Sequence, residues 1–319
     1  MKIASVIVTF NRLEKLKLTV EKTLKEDVDL CIVVNNASTD GTKAWLDCLN
    51  DERLRIINLN ENIGGAGGFN RGFYEAAHKS DVDWIVCYDD DAYPYNGAIS
   101  TFKALSLNAM VGSVASAVYL PNGEIAEMNR PSQNPFWHIP RFFKTIFAGR
   151  QGFHVRDEEY KSVKSIDIDA SSFVGYFVRT SVVRSIGLPR QELFIYADDI
   201  IYALTVRKAG YKHSFIPTIC FMHDCGTLIN QKAIYSPLWR AYYTYRNGFE
   251  MYRYTAGIFF YPIVVLKIFL WYRKSKFYTN PNLYKKIMWL AIKDGLLKNF
   301  DRSHMEVVKI SITEKQLIK

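Results

Sequence analysis

Four short apolar runs, residues 3–9, 30–34, 54–59 and 84–88, are separated by segments whose apolar residues fall at helical spacing. A strand that is apolar along its whole length is buried on both faces, and strand–helix–strand alternation joins such strands in parallel through right-handed crossovers. The first 120 residues therefore predict an α/β fold with a mostly parallel, doubly wound sheet. Leu13, Leu16, Val20 and Leu24 mark the first helix, and Asn11, three residues before Glu14, predicts a capping-box-like start for it. Further helices are expected near residues 42–49 and 64–78. Ligands of such sheets bind at the carboxyl ends of the strands, so the residues that follow each run are the candidates for function.

The fourth run, Trp84-Ile85-Val86-Cys87-Tyr88, meets three consecutive carboxylates, Asp89, Asp90 and Asp91. Like charges this close raise one another's pKa and repel unless something positive lies between them. A hard divalent cation with oxygen ligands, Mg²⁺ or Mn²⁺, answers that need. In extended chain Asp89 and Asp91 point one way and Asp90 the other, which lets two carboxylates hold a metal while the middle one binds something else. A charged surface turn would show the same three residues.

Between the third and fourth runs lies Asn60-Glu61-Asn62-Ile63-Gly64-Gly65-Ala66-Gly67-Gly68-Phe69-Asn70-Arg71-Gly72. Its glycines let backbone approach a ligand, their N–H groups can face a phosphate at a helix start, and Arg71 can add a charge-assisted contact. Glycines also serve tight turns and helix–sheet packing. The string lacks a Walker lysine and follows the third strand rather than the first, which argues against a nicotinamide fingerprint.

A later apolar run, residues 193–197, meets Asp198-Asp199, ahead of a helix near residues 200–209. One of the pair suits an N-cap, and the other could act as a general base toward a hydroxyl. His223 follows Phe221-Met222. A lone histidine there is most often structural, and it gains weight because a metal on the aspartates needs another protein ligand.

Charge is divided unevenly. Residues 231–319 hold 16 Lys and Arg against 5 Asp and Glu, a net of +11, so the preceding 230 residues carry −2 of the chain's +9. The aspartate-bearing part is therefore not a nucleic-acid-binding face. After Gln231 aromatic and basic residues interleave, and residues 255–272 are almost wholly apolar apart from Lys267. Pro262, Lys267 and the flanking Arg253, Arg273, Lys274 and Lys276 suit an interfacial helix more than a membrane span, with a buried helix as the alternative. The five cysteines form no CxxC pair or zinc spacing, which points to a reducing compartment. Met1 leads straight into the first strand with no secretory pattern before it.

Ser5-Val6-Ile7-Val8-Thr9-Phe10-Asn11-Arg12, the turn Asn35-Asn36-Ala37-Ser38-Thr39-Asp40-Gly41-Thr42, the glycine string and the aspartate triplet resemble, in order and spacing, family 2 glycosyltransferases of the GT-A fold over about the first 230 residues. With the later Asp-Asp and the following His, the pattern is most similar to bacterial galactofuranosyltransferases. Related rhamnosyltransferases share much of it.

The resemblance implies a Rossmann-like GT-A catalytic domain at residues 1–230. A C-terminal helical segment at 231–319 would meet the membrane surface and the acceptor. It implies that Thr9, Asn11 and Asn36 line a nucleoside pocket, that Gly65 and Arg71 meet the nucleotide or its diphosphate, and that Asp90 faces the nucleotide-sugar. Asp89, Asp91 and His223 would hold Mn²⁺ or Mg²⁺. Asp199 would be the base with Asp198 beside it, and Phe173 and Tyr176 would lie against the acceptor. The chain departs from the family in having Asn35-Asn36 where an Asp is common, and Ala197 where an aromatic often stands.

The implied reaction is an inverting transfer, with UDP-galactofuranose the leading donor and dTDP-rhamnose the alternative. The acceptor would be a lipid-linked glycan of bacterial cell-surface polysaccharide synthesis, at the cytoplasmic face of the membrane, by a protein that could be a homo-oligomer. Two other classes are a nucleotidyltransferase, which normally carries a Gly-rich basic loop after its first strand, and a non-catalytic membrane-docked scaffold.

Overall fold

In a computed structural model that describes residues 1–225 and 234–312, the chain forms two compact units. One comprises Met1–Gln191 and Asp199–Gly226, the other Glu192–Asp198 and Thr227–Lys319. The expected domain boundary at residues 230 and 231 lies outside the described residues.

The first unit runs β1 (Ile3–Thr9), α1 (Leu13–Leu24), β2 (Leu30–Asn35), α2 (Thr42–Asp47), β3 (Leu54–Asn58), α3 (Gly64–Lys79), β4 (Trp84–Asp89), β5 (Ala92–Pro94), α4 (Ala98–Lys103) and β6 (Val111–Tyr119). It continues with α5 (Ile139–Ala148), α6 (Asp157–Tyr160), β7 (Ile166–Ile168), β8 (Tyr176–Arg179), α7 (Thr180–Ile186), α8 (Asp198–Lys208, its first residue counted with the second unit) and β9 (Lys212–His223). One sheet takes the order β3-β2-β1-β4-β8-β6-β9-β5, with β7 beside β9. The β3-β2-β1-β4 half is parallel throughout, as the alternation of runs requires. The other half is mixed. β8 lies antiparallel to β4 and β6, while β9 runs parallel to β6 and antiparallel to β5 and β7.

The parallel strands are mostly apolar because both faces of β1, β2 and β4 are covered. The polar exceptions are Ser5, the strand-end residues Thr9, Asn35 and Asp89, and Arg55 and Asn58 of the half-buried edge strand β3. Ile3 and Ile7 of β1 join one core cluster, while Ala4, Val6 and Val8 join the other, together with Phe69 and Phe73 of α3. This burial on both sides fixes the strand register and holds the carboxyl ends of β1, β2 and β4 at one edge.

Two expectations need correction. Asn11 does not cap α1. Its backbone is left-handed (φ 53°) and its Oδ1 accepts from the N–H of Thr39 at 2.7 Å. The N–H of Leu13 is met instead by Asp40 Oδ2 at 2.9 Å, so the loop after β2 caps α1 and the loops after β1 and β2 are hydrogen-bonded to each other. Residues 130–160, which lack a clear period in sequence and read as a loop or flap, contain the helices α5 and α6.

The second unit contains α9 (Trp239–Thr255), α10 (Phe260–Lys274), α11 (Pro281–Leu297) and α12 (His304–Ser311). Its core is aromatic: Tyr242, Tyr243, Tyr245, Phe249, Trp271 and Tyr284 are buried together. Tyrosine hydroxyls find partners inside it, Tyr245 with Tyr284 at 2.7 Å and Tyr284 with the carbonyl of Trp271 at 2.9 Å. The apolar stretch at 255–272 is not one helix, because a 3₁₀ turn at Gly257–Phe259 separates α9 from α10. Among the described residues no helix is long and apolar enough to cross a membrane. On α10 only Val264 and Trp271 are buried, and Tyr261, Val265, Leu266 and Phe269 are exposed.

Candidate active site

The aspartate triplet forms the turn from β4 into β5. Val8 of β1 pairs with Asp89 of β4 and Ala92 of β5 with His223 of β9, so strand pairing brings the distant histidine next to the triplet. Asp89, Asp91 and His223 each present a ligand atom within 4.8 Å of the others. His223 Nε2 lies 3.2 Å from Asp91, and its Nδ1 donates to Asn129 Oδ1 at 2.8 Å. Asp90 turns the other way: Thr9 Oγ1 donates to its Oδ2 at 2.8 Å and Arg12 Nη1 to its Oδ1 at 3.2 Å. Arg12 Nη1 also reaches Asp91 at 2.5 Å, bridging the two carboxylates.

The electrostatics follow from crowding and burial. Burial, with the charges of Asp91 and Asp90 added, pushes Asp89 up to about 7 despite the opposing pull of His223 and Arg12. Burial likewise lifts Asp90 to about 6 against Arg12 and the Thr9 hydroxyl. Burial also acts to raise Asp91, but the hydrogen bond and charge of His223, with Arg12, outweigh it and hold this carboxyl below its ordinary value. Two carboxylates and an imidazole crowded together, one carboxylate held against its preference for charge, are a donor set that fits a divalent cation. Asn129 orients the imidazole so that Nε2 is the nitrogen available to it.

Thr9 and Asn36 are both buried, and the N–H of Asn36 donates to the carbonyl of Thr9 at 2.9 Å. Asn36 ties the β2–α2 turn to the glycine string: its Oδ1 accepts from the N–H of Ile63 at 3.0 Å and its Nδ2 donates to Asn62 Oδ1 at 2.9 Å. The glycines divide by role. A Cβ on Gly68 would come 2.4 Å from Val8 Cγ1, and one on Gly72 would come 2.2 Å from Val6 Cγ1, so these residues let α3 lie close on β1. A Cβ on Gly65 would meet nothing within 4 Å, so the protein's own packing does not require glycine there. Arg71 is exposed on α3, 3.9 Å from Glu75 and over the ring of Tyr74.

Asp198 and Asp199 open α8, the former buried and the latter half-buried. Burial raises Asp199 to about 6, against the backbone N–H groups of Ile200, Asp199 and Phe173. The residues just before them are strained: Phe194, Tyr196 and Ala197 all have left-handed backbone, with φ of 65°, 71° and 64°. Within the second unit, buried Asn247 of α9 holds this segment. Its Nδ2 faces the carbonyls of Leu193, Ile195 and Tyr196 at 3.0, 2.8 and 2.9 Å. Arg246, 1% exposed, donates to the carbonyl of Leu193 at 2.9 Å and lies over the rings of Tyr242, Tyr243 and Phe300. A strained turn next to two acids, fastened by a buried amide and guanidinium, is the kind of over-determined backbone found at functional sites.

The expectation that Phe173 and Tyr176 lie against an acceptor is corrected. They are 3% and 0% exposed and pack with Phe69, Phe73 and Tyr202 inside the core. Phe173 contributes through its backbone N–H to Asp199 instead. Arg12, Asn129, Arg246 and Asn247 were not singled out by sequence. Only Arg12 carried a signal, since three adjacent carboxylates require a cation and Arg12 follows the neighbouring strand.

Residues 5–165 match the model of the family described as Glycosyl transferase family 2. Galactofuranosyltransferase GlfT1 of Mycolicibacterium smegmatis is 25% identical over 228 residues, covering 70% of this chain and 72% of the relative. Galactofuranosyltransferase GlfT2 of the same organism is 26% identical, over 76% of this chain and 39% of its own longer one. The dTDP-rhamnosyl transferase RfbF of Shigella flexneri is 27% identical over 79% and 80%. Among solved structures, S. aureus TarS 1-349 superposes with a TM-score of 0.52 at 12% identity, over 99% of this chain and 77% of that one. GalNAc-T7, crystallised with UDP, GalNAc and Mn²⁺, superposes with 0.54 at 13% identity, over 78% and 51%. At such identities the structural likeness is one of fold.

Proposed function

The chain belongs to glycosyl transferase family 2, and on that premise we propose that it is an inverting glycosyltransferase that moves a sugar from a nucleotide diphosphate to a glycan hydroxyl. The observation that carries the assignment is the convergence of Asp89, Asp91 and His223 at the carboxyl edge of β4, with Asp90 turned toward Thr9 and Arg12. Asp89, Asp91 and His223 would hold a divalent ion, Mn²⁺ or Mg²⁺, which when bound supplies positive charge for the diphosphate leaving group. Asp90 would face the nucleotide-sugar. Thr9, Asn11 and Asn36 would shape the nucleoside pocket, with Gly65 and Arg71 on the diphosphate side. The open space over Gly65 leaves room for close backbone approach.

Asp199 would act as base, with Asp198 beside it. As the acceptor oxygen attacks the anomeric carbon from the face opposite the diphosphate, Asp199 takes the hydroxyl proton. The bond to the diphosphate breaks, and the nucleotide leaves with its electron pair. A carboxylate lifted to about 6 by burial is a stronger base than an exposed one and is still largely ionised at neutral pH. Orientation and fixed charge supply most of the rate.

UDP-galactofuranose is the leading donor, supported by the names of the mycobacterial relatives, and dTDP-rhamnose is second, supported by the Shigella relative. The acceptor would be lipid-linked, in bacterial cell-surface polysaccharide synthesis. The exposed apolar side of α10 and the +11 charge of residues 231–319 support contact of this segment with the inner face of the membrane. Offering UDP-galactofuranose, UDP-galactose, UDP-glucose and dTDP-rhamnose and measuring Mn²⁺-dependent nucleotide release tests the reaction. Release from none of the four, together with no Mn²⁺-dependent stabilisation by UDP, would favour a non-catalytic scaffold.

A further inference from the structure

The helix α5 is amphipathic but sits the wrong way round. Ile139, Phe143, Ile146 and Phe147 share one side and are 74%, 57%, 60% and 88% exposed, and none of the helix's ten residues is buried. Arg141, Phe142 and Thr145, on the other side, are the half-buried ones. A surface helix normally turns its apolar stripe inward. Here the inward side is held by Arg141, whose Nε donates to Gln133 Oε1 at 2.5 Å and whose Nη1 donates to the carbonyl of Gly152 at 3.5 Å, and by a ring contact of Phe142 with Phe136 at 6.0 Å. The 3₁₀ turn at Gly149–Gly152 folds back so tightly that a Cβ on Gly152 would lie 2.6 Å from Thr145 Cα. A cavity lined by Lys144 and Ala148 of α5 with Glu127, Arg130, Arg150 and Asp157 continues this charged underside. The body beneath α5 thus takes one ring, Phe142, and a guanidinium, while the other four large apolar side chains of the helix are directed outward.

Charge along the segment that carries the helix indicates what meets that face; the acids Glu127 and Asp157 lining the neighbouring cavity are paired with Arg130. From Pro131 to Arg156 there is no acidic residue, while Arg141, Lys144, Arg150 and Arg156 are basic. An apolar stripe within a purely basic segment matches an anionic lipid surface, where the stripe enters the acyl boundary and the cations stay among the head groups. We propose that α5 is an interfacial membrane helix, a docking site for anionic lipid on the first unit. All of these residues belong to that unit, so the site is independent of any lipid contact by the C-terminal segment.

Flotation of the full chain with phosphatidylcholine vesicles, with and without phosphatidylglycerol, tests it. The variant F143S/F147S should lose roughly tenfold or more of its partitioning onto phosphatidylglycerol vesicles with an unchanged melting temperature, since both rings are already outside the core. An environment-sensitive dye on Phe147→Cys, with exposed Cys48 replaced by Ser, should shift to the blue with phosphatidylglycerol vesicles and not with phosphatidylcholine alone. Unchanged partitioning of F143S/F147S, an unshifted dye, or a face that proves to mediate self-association in solution overturns the proposal. A parallel variant, V265S/F269S, separates the two surfaces. If it abolishes binding while F143S/F147S binds fully, α5 is not a lipid site and membrane contact rests on α10.

Discussion

Asn129 accepts a hydrogen bond from Nδ1 of His223 at 2.8 Å, and the opposite nitrogen of that ring faces Asp91 at 3.2 Å. The 3₁₀ turn at Glu127–Asn129 thereby sets the tautomer of a histidine on β9. Removing an outer partner of a ligating histidine weakens metal binding by about 10–100-fold. Asn129→Ala should do this for Mn²⁺, measured by calorimetry in the presence of UDP, while His223→Ala should weaken it further. Equal Mn²⁺ affinity in Asn129→Ala and the wild type would remove Asn129 from the site.

Asp89 gives a pH signature whose sign is fixed. Its carboxyl titrates near 7 in the folded chain, above its ordinary 3.8. The folded state therefore loses stability from this group as pH rises from the ordinary value through about 7. Asp89→Asn removes that loss. Without metal, the variant should gain on the wild type as pH rises from about 5 to about 8, by on the order of 2 kcal/mol. Mn²⁺ with UDP should erase the gain by stabilising the wild type alone. Melting curves across this pH range check it, and a gap that stays flat with pH contradicts the crowding described for the triplet.

The glycine string separates packing from binding. Gly68→Ala would press a methyl to 2.4 Å from Val8 and force α3 off β1, destabilising the fold by roughly 1–3 kcal/mol. Gly65→Ala meets nothing in the protein and should leave the melting temperature nearly unchanged while weakening UDP binding. If Gly65→Ala binds UDP as well as the wild type, backbone approach at that residue is not part of recognition.

Asn247 is the clearest test of the strained turn before Asp198. Asn247→Ala leaves the carbonyls of Leu193, Ile195 and Tyr196 without their shared donor, a loss of about 1–3 kcal/mol for buried groups. The left-handed residues then relax, and transfer should fall by more than nucleotide affinity does. Hydrogen exchange over residues 192–199 should quicken. Unchanged exchange there would show that Asn247 does not hold the segment.

The parallel half of the sheet was legible in sequence because covered strands leave apolar runs, broken only by Ser5 in β1 and Arg55 in the edge strand β3. The grouping of Asp89 with Asp91, and of both with His223, followed from side-chain alternation and from a family resemblance. The mixed half of the sheet was not: β5 and β7 are three residues each, too short to leave a period. The helix α5 was hidden because its apolar stripe faces outward beside half-buried Phe136 and Phe142, which blurs the spacing. Phe173 and Tyr176 were misplaced because an aromatic near a site and an aromatic in a core look alike in sequence. Asn247 lay among aromatic and basic residues whose pattern signals a packed helix and gives no hint of the carbonyls it meets.

The base assignment is tested most directly by Asp199→Asn, with UDP binding and sugar transfer measured on the same preparation, using the donor found active among the four nucleotide-sugars. The amide keeps the shape of the side chain and removes its capacity to take a proton. UDP affinity in the presence of Mn²⁺ should equal that of the wild type, and transfer should fall by about a hundredfold or more. Transfer at the wild-type rate in Asp199→Asn would contradict it.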